Sequence, residues 1–329
     1  MKPLKKISSL FMASTVAFTA QYSVAASQWD LPLAWPADNF ITKAVTEFAD
    51  EVKTVTNNDV SIITHPGGSL GFKGPDMFGA VRDGLVPIGD MLLNQQTGED
   101  PLLGLESLPY LIGSLEELEQ FGTYYRPLLD EIYAKNNQKI LFTLPWPDQQ
   151  IFTKDVIETI DDMKNVKIRT FNKSSTEVFD AVGMTPVQLP WGEVVPSLAS
   201  GAIDAVATSA ASAVDGSFWE FLGYIYPTRQ SWNTNVISVN LDYWSDLSKE
   251  NQEKIEALAK EFQPKVWSSI GEINANDMKK LTDNGMVVGS ISNDLRAKFK
   301  ALASPLREKE IDAMGPSARK VVNAFQAAK

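Results

Sequence analysis

Residues 166–209 place one cation, one large aromatic ring and two hydroxyls at points where the strands of a sheet are expected to end. Short β-branched runs alternate there with helical runs, and Arg169, Trp191 and the pair Thr208–Ser209 each end or follow such a strand. This alternation is typical of a parallel sheet with right-handed crossovers. Ligands of such sheets bind beyond the carboxyl ends of the strands. The pattern therefore predicts a binding site at this edge of the sheet.

Arg169 is the candidate with the sharpest chemistry. A charged side chain at the end of a buried strand destabilises the fold unless it meets a counter-ion. The guanidinium fork matches a carboxylate in bidentate geometry, which favours a clasp on an anionic ligand. A structural ion pair with a nearby acid, such as Glu193 or Asp204, is the alternative interpretation.

Tryptophans follow several of the expected strands. Trp191 lies between Pro190 and Gly192 in a loop, and Trp35 and Trp146 occupy equivalent positions after their own strands. Tryptophan is often part of a core, so each ring could be structural. Several aromatic rings in one cleft would suit a flat ligand, a nonpolar ligand body or a cationic head held by cation–π attraction.

Signatures of catalysis and of cofactor binding are weak. The single histidine, His65, precedes a Pro-Gly-Gly turn, and the sequence has no Cys, no Gly-x-Ser-x-Gly elbow, no Gly-x-Gly-x-x-Gly and no P-loop. Metal-ligand spacing is absent as well. We therefore expect no catalytic residues, no cofactor and no metal, and we expect the chain not to be an enzyme.

The bulk composition narrows the class of protein further. The chain has 329 residues, enough for two domains of ordinary size, and 44% of them are hydrophobic. Its formal net charge of −11 argues against nucleic acid as a partner, because the phosphate backbone is also negative.

The N-terminus has the pattern of an export signal. Three lysines lie within residues 1–6, a mostly apolar or small run covers residues 10–20, and residues 23–26 fit a small-residue cleavage site. We expect residues 1–26 to be removed as a signal peptide and the mature chain to reside in the periplasm. No later run approaches the roughly 18 apolar residues of a membrane span.

The remaining sequence predicts an α/β fold of two lobes with a cleft between them. The Pro-rich stretch 145–150 is the expected crossing, and residues 248–284 read as a long helical segment. Lobe I is expected to comprise residues 27–150 and about 238–270, and lobe II residues 151–237 and about 271–329. Each lobe would contain a mixed or parallel sheet flanked by helices. Within lobe II, Ser174 and Glu177 have capping-box spacing at the start of a helix.

These segments resemble the periplasmic solute-binding subunits of TRAP transporters, the DctP family. The resemblance covers essentially the whole mature chain. Its most specific parts are residues 162–170, 182–194 and 198–204, and residues 66–71 and 244–248 also match family landmarks.

The resemblance implies a clamshell binding protein with a long helix that spans both lobes. It also implies capture of a small organic anion and its delivery to a pair of membrane permease subunits driven by an ion gradient. Arg169 matches the arginine that holds the ligand carboxylate in most members, and Trp191 and Glu193 fall in the loop that lines the cleft in many members.

Two departures from the family pattern bear on the ligand. Many members carry a second arginine near the crossing strand, where this chain reads Asp148-Gln-Gln-Ile-Phe152, and Thr208 replaces a common amide. Gln149 or Gln150 could replace the second anion contact, or that contact could be lost. Fewer cations and the additional Asp148 argue against a doubly charged dicarboxylate.

We therefore expect a solute-binding protein for a monocarboxylate or a zwitterion, which closes its lobes about a hinge. A small amine held by Asp148 and the tryptophans is the first alternative. A binding module that signals to a membrane sensor, and an exported α/β enzyme, are further alternatives. The predicted ligand-contacting residues are Trp35, Asn39, Ser69, Asn94, Trp146, Asp148, Gln150, Arg169, Trp191, Glu193, Thr208, Ser209 and Trp232.

Overall fold

The structure is a computed structural model that describes residues 27–329, apart from the side chain of Asp294. The predicted signal peptide, residues 1–26, lies outside the described residues. Within them the chain forms two α/β lobes, as predicted. No helix of this part of the chain combines the length and the apolar composition that a membrane crossing requires.

The first lobe is built on two small sheets. A parallel pair consists of β1 (Ser27–Pro32) and β2 (Val60–His65). A three-stranded antiparallel sheet has a late strand of the chain at its centre. Its order is β3 (Ile88–Leu92), β10 (Thr234–Asn240) and β4 (Gln138–Pro145).

Helices cover both faces of the three-stranded sheet. Successive side chains of β10 point to opposite faces, and each face packs into its own hydrophobic core. Ile237 and Val239 pack on the side of the first helix, and Val236 packs on the opposite side. The helices of this lobe are α1 (Phe40–Val55), α2 (Met77–Arg82), α3 (Leu115–Lys135), α7 (Leu241–Ser245) and α10 (Pro316–Ala327).

The second lobe contains one mixed six-stranded sheet. The predicted repeat of strand, helix, strand, helix and strand forms the parallel part of this sheet. The first of its three strands in sequence lies between the other two. The sheet order is β11 (Val287–Val288), β9 (Tyr224–Tyr226), β5 (Gln150–Thr153), β8 (Ala205–Thr208), β6 (Lys167–Thr170) and β7 (Thr185–Gln188).

Alternation along β8 again builds a core on each face of the sheet. Ala205 and Ala207 pack toward α4 (Lys173–Ala181) and α9 (Asn293–Met314). Val206 packs toward α5 (Val194–Ala199) and α6 (Ala210–Asp215). The capping-box prediction for α4 is wrong by two residues. Asn172 caps this helix instead, since its side chain accepts a hydrogen bond of 2.9 Å from the Ser175 N–H.

One long helix, α8 (Lys249–Asp283), spans both lobes, as predicted. Ile255, Phe262 and Val266 lie in a core of the first lobe, and Leu281 lies in a core of the second. Two further crossings run side by side, because Trp146 N–H donates to Asn233 O at 2.8 Å and Gln149 N–H donates to Ser231 O at 3.1 Å. Ligand-contacting residues from both lobes can therefore meet at these crossings.

Candidate ligand-binding cleft between the lobes

A small cavity lies between the lobes, beside the paired crossing segments. Its empty volume is about 320 Å³, a figure that includes space open to solvent. Five predicted residues from both lobes and one crossing segment line it together: Trp35, Trp146, Arg169, Trp191 and Thr208. Groups of both lobes would therefore contact a ligand bound in this cavity.

Arg169 is a buried cation without a counter-ion. Only 3% of the residue is exposed, and burial lowers the pKa of its guanidinium to about 9. Its Nε donates to Leu189 O at 3.0 Å and its Nη1 to Ala207 O at 3.5 Å. Neither Glu193 nor Asp204 pairs with it, and no carboxylate of the described residues forms an ion pair with it. The charge is therefore available to an anion in the cavity.

The three tryptophans form one aromatic wall. The ring centroids of Trp35 and Trp146 are 4.7 Å apart, and those of Trp35 and Trp191 are 6.4 Å apart. Trp191 stacks behind on Phe218, with 6.3 Å between the centroids and 30° between the planes. Trp35 and Trp146 are 6% and 3% exposed, so their rings are held by packing as well as facing the cavity.

Six lining residues are not among the predicted ligand contacts. Three of them carry primary amides and one a hydroxyl, so the cavity has neutral hydrogen-bonding groups in addition to Arg169. These residues are Leu92, Gln95, Gln149, Phe171, Ser212 and Asn233. Of these, the sequence analysis raised only Gln149, as a possible second anion contact, and Gln95 and Asn233 each adjoin a predicted residue.

Asp148 does not line the cavity, although the amine alternative depends on it. The residue is 5% exposed and its Oδ2 pairs with Arg229 Nε at 3.3 Å. Asn274 Nδ2, on α8, donates to its Oδ1 at 3.4 Å. Burial raises the pKa of this carboxyl, and the charge of Arg229 acts in the opposite direction. The carboxylate is therefore engaged by protein groups.

Two predicted residues make contacts between the lobes and are not lining residues. Asn39 caps α1 through a 2.8 Å hydrogen bond from Ile41 N–H, and its Nδ2 donates to Asp215 Oδ2 at 2.5 Å. Glu193 pairs with Lys73 Nζ at 3.1 Å. Both contacts join residues of opposite lobes, so these side chains hold the lobes together.

The other predicted residues also lie off the cavity. Asn94 donates to Asn233, Ser209 caps α6 by accepting from Ser212 N–H at 3.3 Å, and Gln150 is buried in β5 opposite Thr208. Trp232 packs in a core of the first lobe, and Ser69 lies exposed in the loop after β2. The described residues, 27–329, contain no group of three or more His, Cys, Asp or Glu side chains that could hold a metal ion.

Curated relatives with similar sequences are solute-binding proteins. The ectoine-binding periplasmic protein TeaA of Halomonas elongata is 23% identical over 282 residues, which cover 82% of this chain and 81% of that protein. The ectoine/5-hydroxyectoine-binding periplasmic protein UehA of Ruegeria pomeroyi is 24% identical, over 85% of this chain and 84% of that protein.

Solved structures with the same fold include two receptors for one small acid. An extracytoplasmic solute receptor of Bordetella pertussis that binds pyroglutamic acid has a TM-score of 0.88 and 26% identity, over 92% of this chain and 100% of that one. A marine metagenome TRAP solute-binding protein specific for pyroglutamate has a TM-score of 0.88 and 28% identity, over 92% and 99%. The family described as bacterial extracellular solute-binding protein, family 7 (DctP), matches residues 33–312. The chain belongs to this family, the solute-binding proteins of TRAP transporters.

Proposed function

We propose that this protein binds a compact organic acid with one negative charge in the interlobe cavity and presents it to TRAP membrane subunits. The observation that carries the proposal is the buried guanidinium of Arg169, which has no counter-ion among the described residues. A ligand carboxylate would supply that counter-ion, in the bidentate geometry that arginine favours.

The charge of the cavity favours a single carboxylate. Arg169 is the one charged side chain among the lining residues. A second ligand carboxylate would lose its hydration without gaining a cation, which is strongly unfavourable in a closed cleft. Dicarboxylates are therefore poor candidates.

The neutral part of the cavity favours a small polar ring. The faces of Trp35, Trp146 and Trp191 suit a flat ring, and the amides of Gln95 and Gln149 suit an amide or lactam group on it. Pyroglutamate, the ligand of the two solved receptors described above, is a lactam ring with one carboxylate. We therefore choose L-pyroglutamate as the first probe.

Ectoine is the second candidate, because two curated relatives bind it and it also carries one carboxylate on a ring. Its ring is cationic and would depend on cation–π contact with the tryptophans, since Asp148 is engaged by Arg229 and Asn274. This difference in ring charge separates the two candidates.

We further propose that the protein is a periplasmic receptor and not an enzyme. The hydroxyls of Thr208 and Ser212 have no histidine or carboxylate base beside them among the lining residues. The curated relatives named above are periplasmic proteins, which agrees with the predicted signal peptide.

A thermal-shift and calorimetric comparison tests the proposal. Residues 27–329 are mixed with L-pyroglutamate, ectoine, succinate or choline. We expect L-pyroglutamate to stabilise the protein by about 2.7 kcal/mol at 100 times its dissociation constant. Succinate and choline should have little effect.

The variant Arg169→Met should lose this stabilisation, with an affinity lower by about 100-fold or more, because a charge-assisted hydrogen-bond pair is removed. Arg126→Met is the matched control, since Arg126 is bound to Asp130 in the first lobe by a 2.7 Å ion pair. Stabilisation by choline alone, or full affinity in Arg169→Met, would overturn the proposal.

A further inference from the structure

Two of the cleft tryptophans are tied to one buried chain of hydrogen bonds. Trp35 Nε1–H donates to Asp90 Oδ2 at 3.0 Å, and Trp146 Nε1–H donates to Asn235 Oδ1 at 2.7 Å. Asn235 Nδ2–H donates to Asp90 Oδ1 at 2.7 Å and closes the chain. Hydrogen bonds therefore link an indole, a carboxylate, an amide and a second indole, in that order, behind the aromatic wall.

The sheet of the first lobe places the two central residues. Asp90 lies on β3 opposite Ile237, and Asn235 lies on the neighbouring β10 opposite Leu92. The two are diagonal neighbours on one face of the sheet, a relation that allows polar side chains to meet. Asp90 is 2% exposed and Asn235 is fully buried, so water does not compete for these bonds.

Each donor in the chain meets one acceptor. Three N–H donors, from Trp35, Trp146 and Asn235, face three acceptor oxygens. An indole nitrogen can only donate, so the Asn235 oxygen must face Trp146 and its NH₂ group must face Asp90. The orientation of every polar group is therefore fixed by its neighbour.

Burial of the Asp90 carboxylate lowers the stability of the fold. Burial raises its pKa to about 7, although the hydrogen bonds from Asn235 and Trp35 oppose this shift. No cation among the described residues forms an ion pair with Asp90. An apolar residue would fill this position more favourably if packing were its only role.

We propose that Asp90 and Asn235 are positioning residues of the ligand site, which fix the planes of Trp35 and Trp146 against the ring of the bound acid. Neither residue lines the cavity, so they act through the tryptophans. The inference rests on the proposed function for the identity of the probe and on the hydrogen-bond chain for the residues themselves.

Single substitutions should break the chain in a defined way. In Asp90→Asn, the new amide can accept from Trp35, but its NH₂ then faces the NH₂ of Asn235. If Asn235 turns over to accept this donor, its NH₂ faces the indole N–H of Trp146. In Asn235→Asp, two buried carboxylates face each other, and they can keep the chain only if the pair takes up one proton. Asp90→Asn therefore keeps an unpaired donor at every pH, whereas Asn235→Asp loses the chain only as that shared proton is released at rising pH.

The exchange of the two residues should restore the chain. In the double variant Asp90→Asn with Asn235→Asp, the amide oxygen at position 90 accepts from Trp35, and the amide NH₂ donates to the carboxylate at position 235. The second oxygen of that carboxylate accepts from Trp146. All donors and acceptors are paired again, and the net charge is unchanged.

The test measures near-UV circular dichroism without ligand and affinity for L-pyroglutamate, at pH 8, in the wild type, both single variants and the exchange variant. Asp90→Asn should lose tryptophan dichroism and about tenfold or more in affinity, since a buried unpaired donor is strongly unfavourable. In Asn235→Asp the same losses should grow with pH, as the proton shared by the two carboxyls is released. The exchange variant should recover the dichroism and bind within about threefold of the wild type.

Ser238→Ala is the control for a purely structural role. Ser238 is a buried residue of the same strand, and it donates to Gln138 Oε1 at 2.7 Å rather than to an indole. It should change thermal stability without changing the tryptophan dichroism. An exchange variant no better than Asp90→Asn, or Asp90→Asn with wild-type dichroism, would overturn the inference. If the wild type binds no L-pyroglutamate, the ligand proposal fails and the dichroism of the ligand-free proteins still decides the inference.

Discussion

Two buried charges of opposite sign differ in what surrounds them. Asp148 forms an ion pair with Arg229 at 3.3 Å and accepts a hydrogen bond from Asn274 at 3.4 Å. Arg169 donates hydrogen bonds to carbonyl oxygens and lies 5.8 Å from the centroid of the Phe171 ring, and no carboxylate of the described residues pairs with it. A protein retains such an uncompensated charge at a cost in stability, and we propose that the ligand supplies the missing counter-ion.

The neutral variant Asp148→Asn tests the amine alternative. We expect the affinity for L-pyroglutamate to change by less than about threefold, because Asp148 does not line the cavity and an amide at this position can still accept the hydrogen bond from Asn274. Isothermal titration calorimetry measures the change. Loss of all binding in Asp148→Asn, with binding retained in Arg169→Met, would instead support a cationic ligand at Asp148.

For single residues, the sequence indicated which segments reach the cavity better than which side chains of those segments line it. Arg169, Trp35, Trp146, Trp191 and Thr208 were found because the ends of strands converge on one edge. Three other predictions selected the neighbour of a lining residue: Asn94 for Gln95, Gln150 for Gln149 and Trp232 for Asn233. Side chains of neighbouring residues point in different directions, so a shift of one residue moves a predicted contact off the cavity.

At the scale of elements, the parallel repeat β6–α4–β7–α5–β8 follows directly from local patterns. Turn glycines, β-branched runs and apolar stripes of helical spacing are all readable in one stretch of chain. The local pattern of the last two helices, α9 and α10, does not indicate on which other helices they pack. Residues 271–329 were expected in the second lobe, and α9 does pack there on α4, whereas α10 packs on α3 of the first lobe. We propose that residues 316–327 belong to lobe I.

A substitution in α10 tests this assignment. Phe325 is fully buried, and its ring lies 5.2 Å from that of Phe121 on α3 at 89°. Phe325→Ala should lower the free energy of unfolding by about 3–5 kcal/mol, the usual loss for a buried aromatic ring. Gln326→Ala, an exposed neighbour on the same helix, should change it by less than about 0.5 kcal/mol. Equal effects in chemical denaturation would mean that α10 does not dock on α3.

At the scale of the whole molecule, contacts between the lobes define the closed state. The hydrogen bond from Asn39 to Asp215 and the ion pair of Lys73 with Glu193 join residues 176 and 120 positions apart in sequence. No local pattern reports such pairs, so the sequence alone did not indicate that Asn39 and Glu193 join the lobes. We expect both contacts to separate when the lobes open.

The closing contact at Asp215 predicts a pH dependence of ligand affinity. Burial raises the pKa of Asp215 to about 6 in the closed arrangement, and the hydrogen bond from Asn39 opposes this only in part. An open cleft would return the carboxyl toward its ordinary value of 3.8. Closure then takes up protons, so the contribution of Asp215 to the closed state grows as the pH falls from about 6 toward 4 and is lost as the pH rises through about 6.

We therefore expect the ratio of affinities at pH 5.5 and pH 7.5 to be on the order of threefold higher in the wild type than in Asp215→Asn, which cannot titrate. Both proteins retain Asp90, whose pKa of about 7 affects both measurements alike, and Asp277, whose pKa burial also raises. Asp155→Asn is the control, because that carboxyl is exposed and is not among the charges that act on the pKa of Asp215, so it should leave the ratio unchanged. Calorimetric titrations with L-pyroglutamate at the two pH values give the ratio. Identical ratios in the wild type and Asp215→Asn would show that Asp215 is equally buried in the open and closed states, and that lobe closure does not desolvate it.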